Sequence, residues 1–238
     1  SQSTIPVTYM NSSAAIKSFT GEHGGTICTS SNAERAMRWA LEQGEKIFFL
    51  PDQHLGRNTA VLKLGLNLED CVVWNPWKPH GGLSDAEITH AKIILWRGHC
   101  SVHGRFSLNN IHEVRARIPG VQVLVHPECQ HDVVRNSDAV GSTEMIIKTV
   151  TQSPAGSKWA VGTELNLVKR LAANNTDKTV VFLDKTVCYC STMNRIDLPH
   201  LVWAMESVAE GRLVNHIKVD ENTAHFARVA LERMLALP

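Results

Sequence analysis

The chain has 238 residues, enough for two domains that each bury a core, and its 24 basic against 23 acidic residues leave a net charge of +1. That balance offers neither a basic stripe for a nucleic-acid backbone nor an acidic tail, and it argues against a nucleic-acid partner. No apolar run reaches the ~18 residues of a membrane span, and SQSTIPVTYM lacks the charged and apolar regions of a signal peptide, so a soluble, cytoplasmic protein is expected.

The chain opens almost directly on a strand, as a fragment of a longer protein would. β-Branched and apolar runs predict strands near 5–9, 26–29, 46–50, 71–74, 93–97, 121–126, 158–162 and 179–183, with helical patterns between them. SNAERAMRWALEQG (31–44) reads as a helix capped by Ser31 or Asn32 and stopped by Gly44, and GTELNLVKRLAANN (162–175) as another. ENTAHFARVALERMLAL closes the chain as an amphipathic helix. The segment 67–90, with Pro76, Pro79 and the pair Gly81–Gly82, breaks the rhythm and reads as an inserted surface excursion. Such alternation predicts an α/β fold of mostly parallel sheets, whose ligand sites gather at the carboxyl ends of the strands.

Polar residues are concentrated at those ends: TYMNSS, CTSSNA, LPDQHLG, WRGHCSVH, VHPECQHD, VGSTE and LDKTVCYCSTMN each follow an apolar run. WRGHCSVHGRF and VHPECQHDV are weak internal echoes of one another.

Of the six cysteines, Cys28 and Cys71 lie inside apolar runs and read as buried thiols. Cys100, between His99 and His103, and Cys190 each follow a strand. Thiolates so far apart in sequence meet only at a shared centre, for which iron–sulfur or zinc would serve; a small buried hydrophobe is the competing reading of each. CYC is not a CxxC, and with no HExxH either, a zinc hydrolase is disfavoured. In HPEC, Pro127 fixes the backbone between His126 and Glu128, which suits acid–base work as well as it suits a solvated turn. Gly141–Glu144 reads as a helix cap or an anion-binding turn. Tyr9 and Asn11 offer a phenol and an amide to a carboxylate, or merely pack; Asp52, His54 and Arg57 form an anion-binding loop or a charged turn.

In this order, VTYMNSSAAIKSF, CTSSNA, FLPDQHLGRNTA, WRGHCSVHGRF, VHPECQHDV, VGSTEMI, VGTELNL and CSTMNRIDL resemble the quinolinate synthases of the NadA type over nearly the whole chain. The resemblance implies pseudo-symmetric three-layer α/β domains around a central site, two of the family's three being present. These are a middle-type domain over 1–97 with the insertion at 67–90, a last-type domain over 98–185, and a cluster loop and helices over 186–238. It implies condensation of iminoaspartate with dihydroxyacetone phosphate to quinolinate in NAD biosynthesis, alongside an aspartate-oxidising enzyme that supplies iminoaspartate. A 4Fe-4S cluster, held by one cysteine from each domain, is the implied Lewis acid. Carried over motif by motif, Cys100 and Cys190 become cluster ligands, and His126 and Glu128, with Tyr9, the catalytic set. Tyr9, Asn11, Ser30, Ser142, Thr143 and Met193 become substrate-binding residues, while Cys129 matches no ligand position. The first family domain and its cysteine have no counterpart here, so the isolated chain is expected to show little or no synthase activity. The competing expectation is a non-catalytic module that binds a dicarboxylate through Tyr9, Asn11, Ser142 and Thr143.

Overall fold

A computed structural model describes residues 3–186 and 190–237; Cys188 lies outside them. The first half alternates strictly: β1 (Thr4–Tyr9), α1 (Ala14–Glu22), β2 (Thr26–Cys28), α2 (Ala33–Gln43), β3 (Lys46–Leu50), α3 (Gln53–Leu62), β4 (Cys71–Trp74), α4 (Asp85–His90) and β5 (Ile93–Trp96). The second continues with α5 (Leu108–Arg117), β6 (Gln122–Val125), α6 (His131–Arg135), β7 (Ala139–Val140), α7 (Thr143–Gln152), β8 (Lys158–Gly162), α8 (Leu165–Asn174) and β9 (Thr179–Phe182). Two helices, α9 (Leu198–Ala209) and α10 (Glu221–Leu235), follow.

Every strand pair is parallel. Parallel strands need helical crossovers, which cover both faces of a sheet and leave the strands to be apolar throughout; KIFFL of β3 and IILW of β5 fit that environment. The first sheet runs β2-β1-β3-β5-β4 and the second β7-β6-β8-β9. With edge strand β4 set aside, the orders are the same, so β1 answers to β6, β2 to β7, β3 to β8 and β5 to β9. The two weak sequence echoes do not share this correspondence, since one follows β5, the counterpart of β9, and the other follows β6, the counterpart of β1.

One core, including Val7, Met37, Phe49, Leu55 and Leu95, packs the first sheet. The second sheet has a core on each side, one around Phe106, Val123 and Val133, the other around Ile146, Trp159 and Val168. Helix α10 returns to the first unit, where Ala230 and Met234 pack on Ile27 and the Arg233 guanidinium donates to the Gly25 carbonyl. Helices α1 and α10 touch backbone to backbone: a Cβ on Gly21 would lie 1.9 Å from the Phe226 carbonyl oxygen.

The structure departs from the sequence expectations in local ways. The segment 67–90 is only partly an excursion, since β4 joins the sheet through the register Cys71↔Ile93 to Trp74↔Trp96. Strand β7 went unseen because two residues carry no periodicity; only its pairing with Leu124 and Val125 makes it a strand. The helix expected from 162 begins at Leu165, because Gly162 still belongs to β8 and the Glu164 carboxylate caps the amides of Asn166 and Leu167. Asn32 occupies the N-cap of α2 without capping it, its Oδ1 turning back to accept from the Thr29 amide at 2.6 Å.

Candidate active site

PDQHLGR is no loop: Asp52 ends the strand segment and Gln53 starts α3, with Asp52 Oδ1 accepting from the Leu55 amide at 2.8 Å. The other carboxylate oxygen accepts from the Cys100 amide, also at 2.8 Å. One buried side chain therefore ties the start of α3 to the Cys100 loop, which no local sequence signal predicts. Burial, and then the Glu128 charge, push the Asp52 carboxyl up to about 6. The approach needs Gly98, whose hypothetical Cβ would stand 2.2 Å from the Pro51 carbonyl oxygen.

Beyond Cys100 the chain makes a 3-10 turn, His103–Arg105, closed by the Gly104 amide donating to the Cys100 carbonyl at 2.9 Å. The turn carries His103 to Cys100. On the second sheet, HPEC leaves the end of β6 as a tight turn, with the Cys129 amide donating to the His126 carbonyl at 3.0 Å. Glu128 is thereby directed at both imidazoles, Oε2 lying 3.0 Å from His103 Nδ1 and 3.1 Å from His126 Nδ1. The His103 contact is close but out of line for a hydrogen bond, and that buried nitrogen accepts or donates none among the described residues, while Nε2 meets the Thr163 hydroxyl at 3.2 Å. The two rings stack with centroids 4.4 Å apart.

All three groups are buried, with exposures of 8%, 2% and 5% for His103, His126 and Glu128. Burial alone would raise the Glu128 carboxyl, but the two imidazoles overcome it and hold it at about 2. Burial pulls His103 down, yet its contacts with Cys100 and Glu128 hold it at about 9. His126 is lowered, chiefly by burial. At neutral pH this is a carboxylate between a protonated and a neutral imidazole, able to give and take protons. The Cys100 sulfur, a His103 nitrogen and a Glu128 oxygen all lie within 4.8 Å of one another, a spacing suited to one metal centre.

Tyr9, at the end of β1, is buried, and its phenol is held protonated well above its ordinary value, first by burial and then by the Glu128 charge, with Ser30 as hydrogen-bonding neighbour. Asn11 is exposed on the loop after Tyr9. Ser142 caps α7 through the Met145 amide, and Thr143 is the helix's exposed first residue. Ser30 and Ser142 line opposite sides of a cavity of about 440 Å³ between the units, which Asn58 and Pro127 also line. Topologically they are partners too, Ser30 following β2 and Ser142 following β7.

Cys100 and Cys190 share such a relation, since they follow β5 and β9, the corresponding strands of the two sheets. Cys190 is not one of the three grouped ligands; it lies on the segment leading to α9. Its thiol, beside the Thr192 hydroxyl at 3.1 Å and the Met193 amide at 3.5 Å, is lowered by those contacts in that order. The Met193 side chain is exposed. Cys28 is fully buried, its thiol pushed up by burial, whereas Cys71 is only half-buried, because β4 is an edge strand. Cys129 is buried against the Gly162 carbonyl, apart from the ligand group.

The site thus joins Cys100, His126, Glu128, Tyr9 and Ser30, and leaves Asn11, Thr143 and Met193 exposed and Cys190 outside the buried group. Sequence reasoning gave no role to His103, although its C-x-x-H spacing from Cys100 was a visible signal. It also missed Asn58, whose side-chain amide donates to the carbonyls of Pro127 and Cys129, both at 2.8 Å, across the unit boundary.

Fold and site together define a class: a parallel α/β protein with a cysteine, histidine and carboxylate gathered where the strand ends of two like units meet. The family model for quinolinate synthetase A protein matches residues 1–236. The chain is 70% identical over its whole length to a quinolinate synthase of Streptomyces coelicolor, covering 61% of that protein. It is 54% identical to one of Listeria innocua (98% of the chain, 63% of the relative) and 52% identical to one of Acidobacterium capsulatum (99% and 64%). The chain belongs to the quinolinate synthetase A family and spans somewhat under two thirds of the length of these relatives. Among the described residues no helix is long and apolar enough to cross a membrane.

Proposed function

We propose that this chain carries the acid–base centre and two cluster cysteines of a cytoplasmic quinolinate synthase, which condenses iminoaspartate with dihydroxyacetone phosphate. An aspartate-oxidising enzyme would supply the iminoaspartate. The observation that carries the reading is that Cys100 and Cys190 follow corresponding strands of two like sheets, beside a buried Glu128 paired with two imidazoles.

The donor set fits an iron–sulfur group. Cys190 has hydroxyl and amide donors that favour its thiolate, and such donors are what tune cluster sulfurs; Cys100 sits at the mouth of the buried group. These two sulfurs, with a third cysteine from the part of the relatives that this chain does not span, would hold a 4Fe-4S cluster, which would supply Lewis-acid chemistry for the loss of hydroxyl.

The protein's own groups do the rest. The Tyr9 phenol stays protonated and donates to a substrate carboxylate, helped by Asn11 and Ser30. Ser142 and Thr143, at the start of α7, receive phosphate or carboxylate. Neutral His126 takes the proton released on forming the carbon–carbon bond, and Glu128 keeps the imidazole oriented while balancing its charge. His103, protonated 3.0 Å from the same carboxylate, is the stored acid for dehydration.

Anaerobic reconstitution with iron and sulfide tests the reading. A broad visible absorption band is expected, weakened by Cys100→Ala and by Cys190→Ala. A chain that binds a dicarboxylate but develops no such band supports the non-catalytic module instead.

A further inference from the structure

A polar atom buried without a partner costs stability, and a ligand that completes it removes the cost. Nδ1 of His103 is such an atom: the residue is 8% exposed, and this nitrogen makes no hydrogen bond among the described residues. It lies beside two groups able to share a cation with it. Glu128 Oε2 is 3.0 Å away, and the Cys100 sulfur completes a triad of donors within 4.8 Å of one another. Tetrahedral zinc, with bonds of about 2.0–2.3 Å, sets its donors about 3.4–3.6 Å apart, so shifts of about 1 Å or less close the triad on one ion.

A metal-bound imidazole usually gives its other N–H to an oxygen, which fixes the ring and selects the coordinating nitrogen. His103 has that oxygen in the buried Thr163 hydroxyl, 3.2 Å from Nε2. The other two donors are braced as well: the Cys100 amide donates to Asp52 at 2.8 Å, and Glu128 Oε2 lies 3.1 Å from His126 Nδ1. A thiolate and a carboxylate bring two negative charges, which a dication balances in a buried site. One sulfur, one nitrogen and one oxygen suit zinc rather than magnesium or calcium, which take oxygen ligands. We propose that Cys100, His103 and Glu128 form a mononuclear zinc site whose fourth position is left for water or a substrate oxygen. The metal takes the place of the proton that His103 otherwise holds between Cys100 and Glu128. Zinc and a cluster both need Cys100 and so exclude one another; the zinc site is a second metal state of the chain and does not rest on the function proposed above.

Anaerobic titration of the metal-free chain with Co2+ tests it, because cobalt reports its ligands through its absorption. One equivalent should bring in a thiolate-to-cobalt charge-transfer band and the strong visible bands of tetrahedral geometry, and one equivalent of Zn2+ should abolish both. Cys100→Ala should remove the charge-transfer band, and Cys190→Ala should leave the spectrum unchanged. His103→Ala should weaken cobalt binding by about tenfold or more. Thr163→Val, which keeps the shape of the side chain, should weaken it by about 10–100-fold with the band retained, so the outcome does not hang on a variant that fails to fold. A charge-transfer band that survives Cys100→Ala or disappears in Cys190→Ala would overturn the proposal, as would an affinity unmoved by Thr163→Val. The titration uses neither iron nor sulfide. A cobalt site in a chain that develops no iron–sulfur band would therefore support the zinc site and count against the cluster reading, and the reverse result would overturn the zinc site alone.

Discussion

Asn58→Ala removes three hydrogen bonds that join the two units. The Asn58 side chain is 2% exposed; its amide donates to Pro127 and Cys129 carbonyls at 2.8 Å, and its Oδ1 lies 2.8 Å from His131 Nδ1. Since both amide hydrogens are spent, Oδ1 must accept, which places the His131 proton on Nδ1. Each bond contributes a net of about 0.5–1.5 kcal/mol, so three give about 1.5–4.5 kcal/mol, and the buried Cys129 carbonyl left without its partner favours the upper half. A loss of about 3 kcal/mol is expected in equilibrium guanidinium unfolding with an unchanged denaturant slope, a large share of the ~5–15 kcal/mol that holds a domain folded. Asn58→Asp should not restore the loss, because a carboxylate cannot donate to the two carbonyls. In a spectrum of the imidazole nitrogens, His131 should lose its fixed tautomer in Asn58→Ala and keep its proton on Nδ1 in Asn58→Asp, whose carboxylate still accepts there. A loss below about 0.5 kcal/mol, the range of an ordinary surface substitution, would refute the clamp.

Asp52→Asn should flatten the pH dependence of stability between about pH 4 and 6. The wild-type carboxyl, raised to about 6 when folded, binds a proton that the unfolded chain has lost, so it contributes stability at low pH that fades as pH rises through that window; urea titrations at stepped pH read the slope. Glu128→Gln should move His103 down from about 9, because the carboxylate that helps hold its proton is gone, and imidazole resonances followed against pH would detect it; an unmoved His103 would show that Glu128 does not control it. Gly98→Ala forces the Cys100 loop away from Pro51, since the new methyl meets a backbone oxygen at 2.2 Å. A destabilisation of about 1–3 kcal/mol in denaturant unfolding is expected.

Much of the fold was legible because parallel strands buried on both faces must be apolar throughout and must alternate with helices. β1, β3, β5, β6 and β8 therefore announced themselves, while β7, with two residues, had no run to show. The chemistry-bearing residues were legible for the same reason: strand ends are where such a fold exposes side chains to a ligand. What the sequence determined by itself was this inventory, with Cys100, His126, Glu128 and Tyr9 at the edges of the sheets. Tertiary structure alone decided which of them meet. Long-range contacts across 48 residues from Asp52 to Cys100, and 71 from Asn58 to Cys129, depend on how the sheets pack, which no local period encodes. So does the state of each group, because a carboxylate at about 2 and an imidazole at about 9 arise only when Glu128 and His103 are buried together.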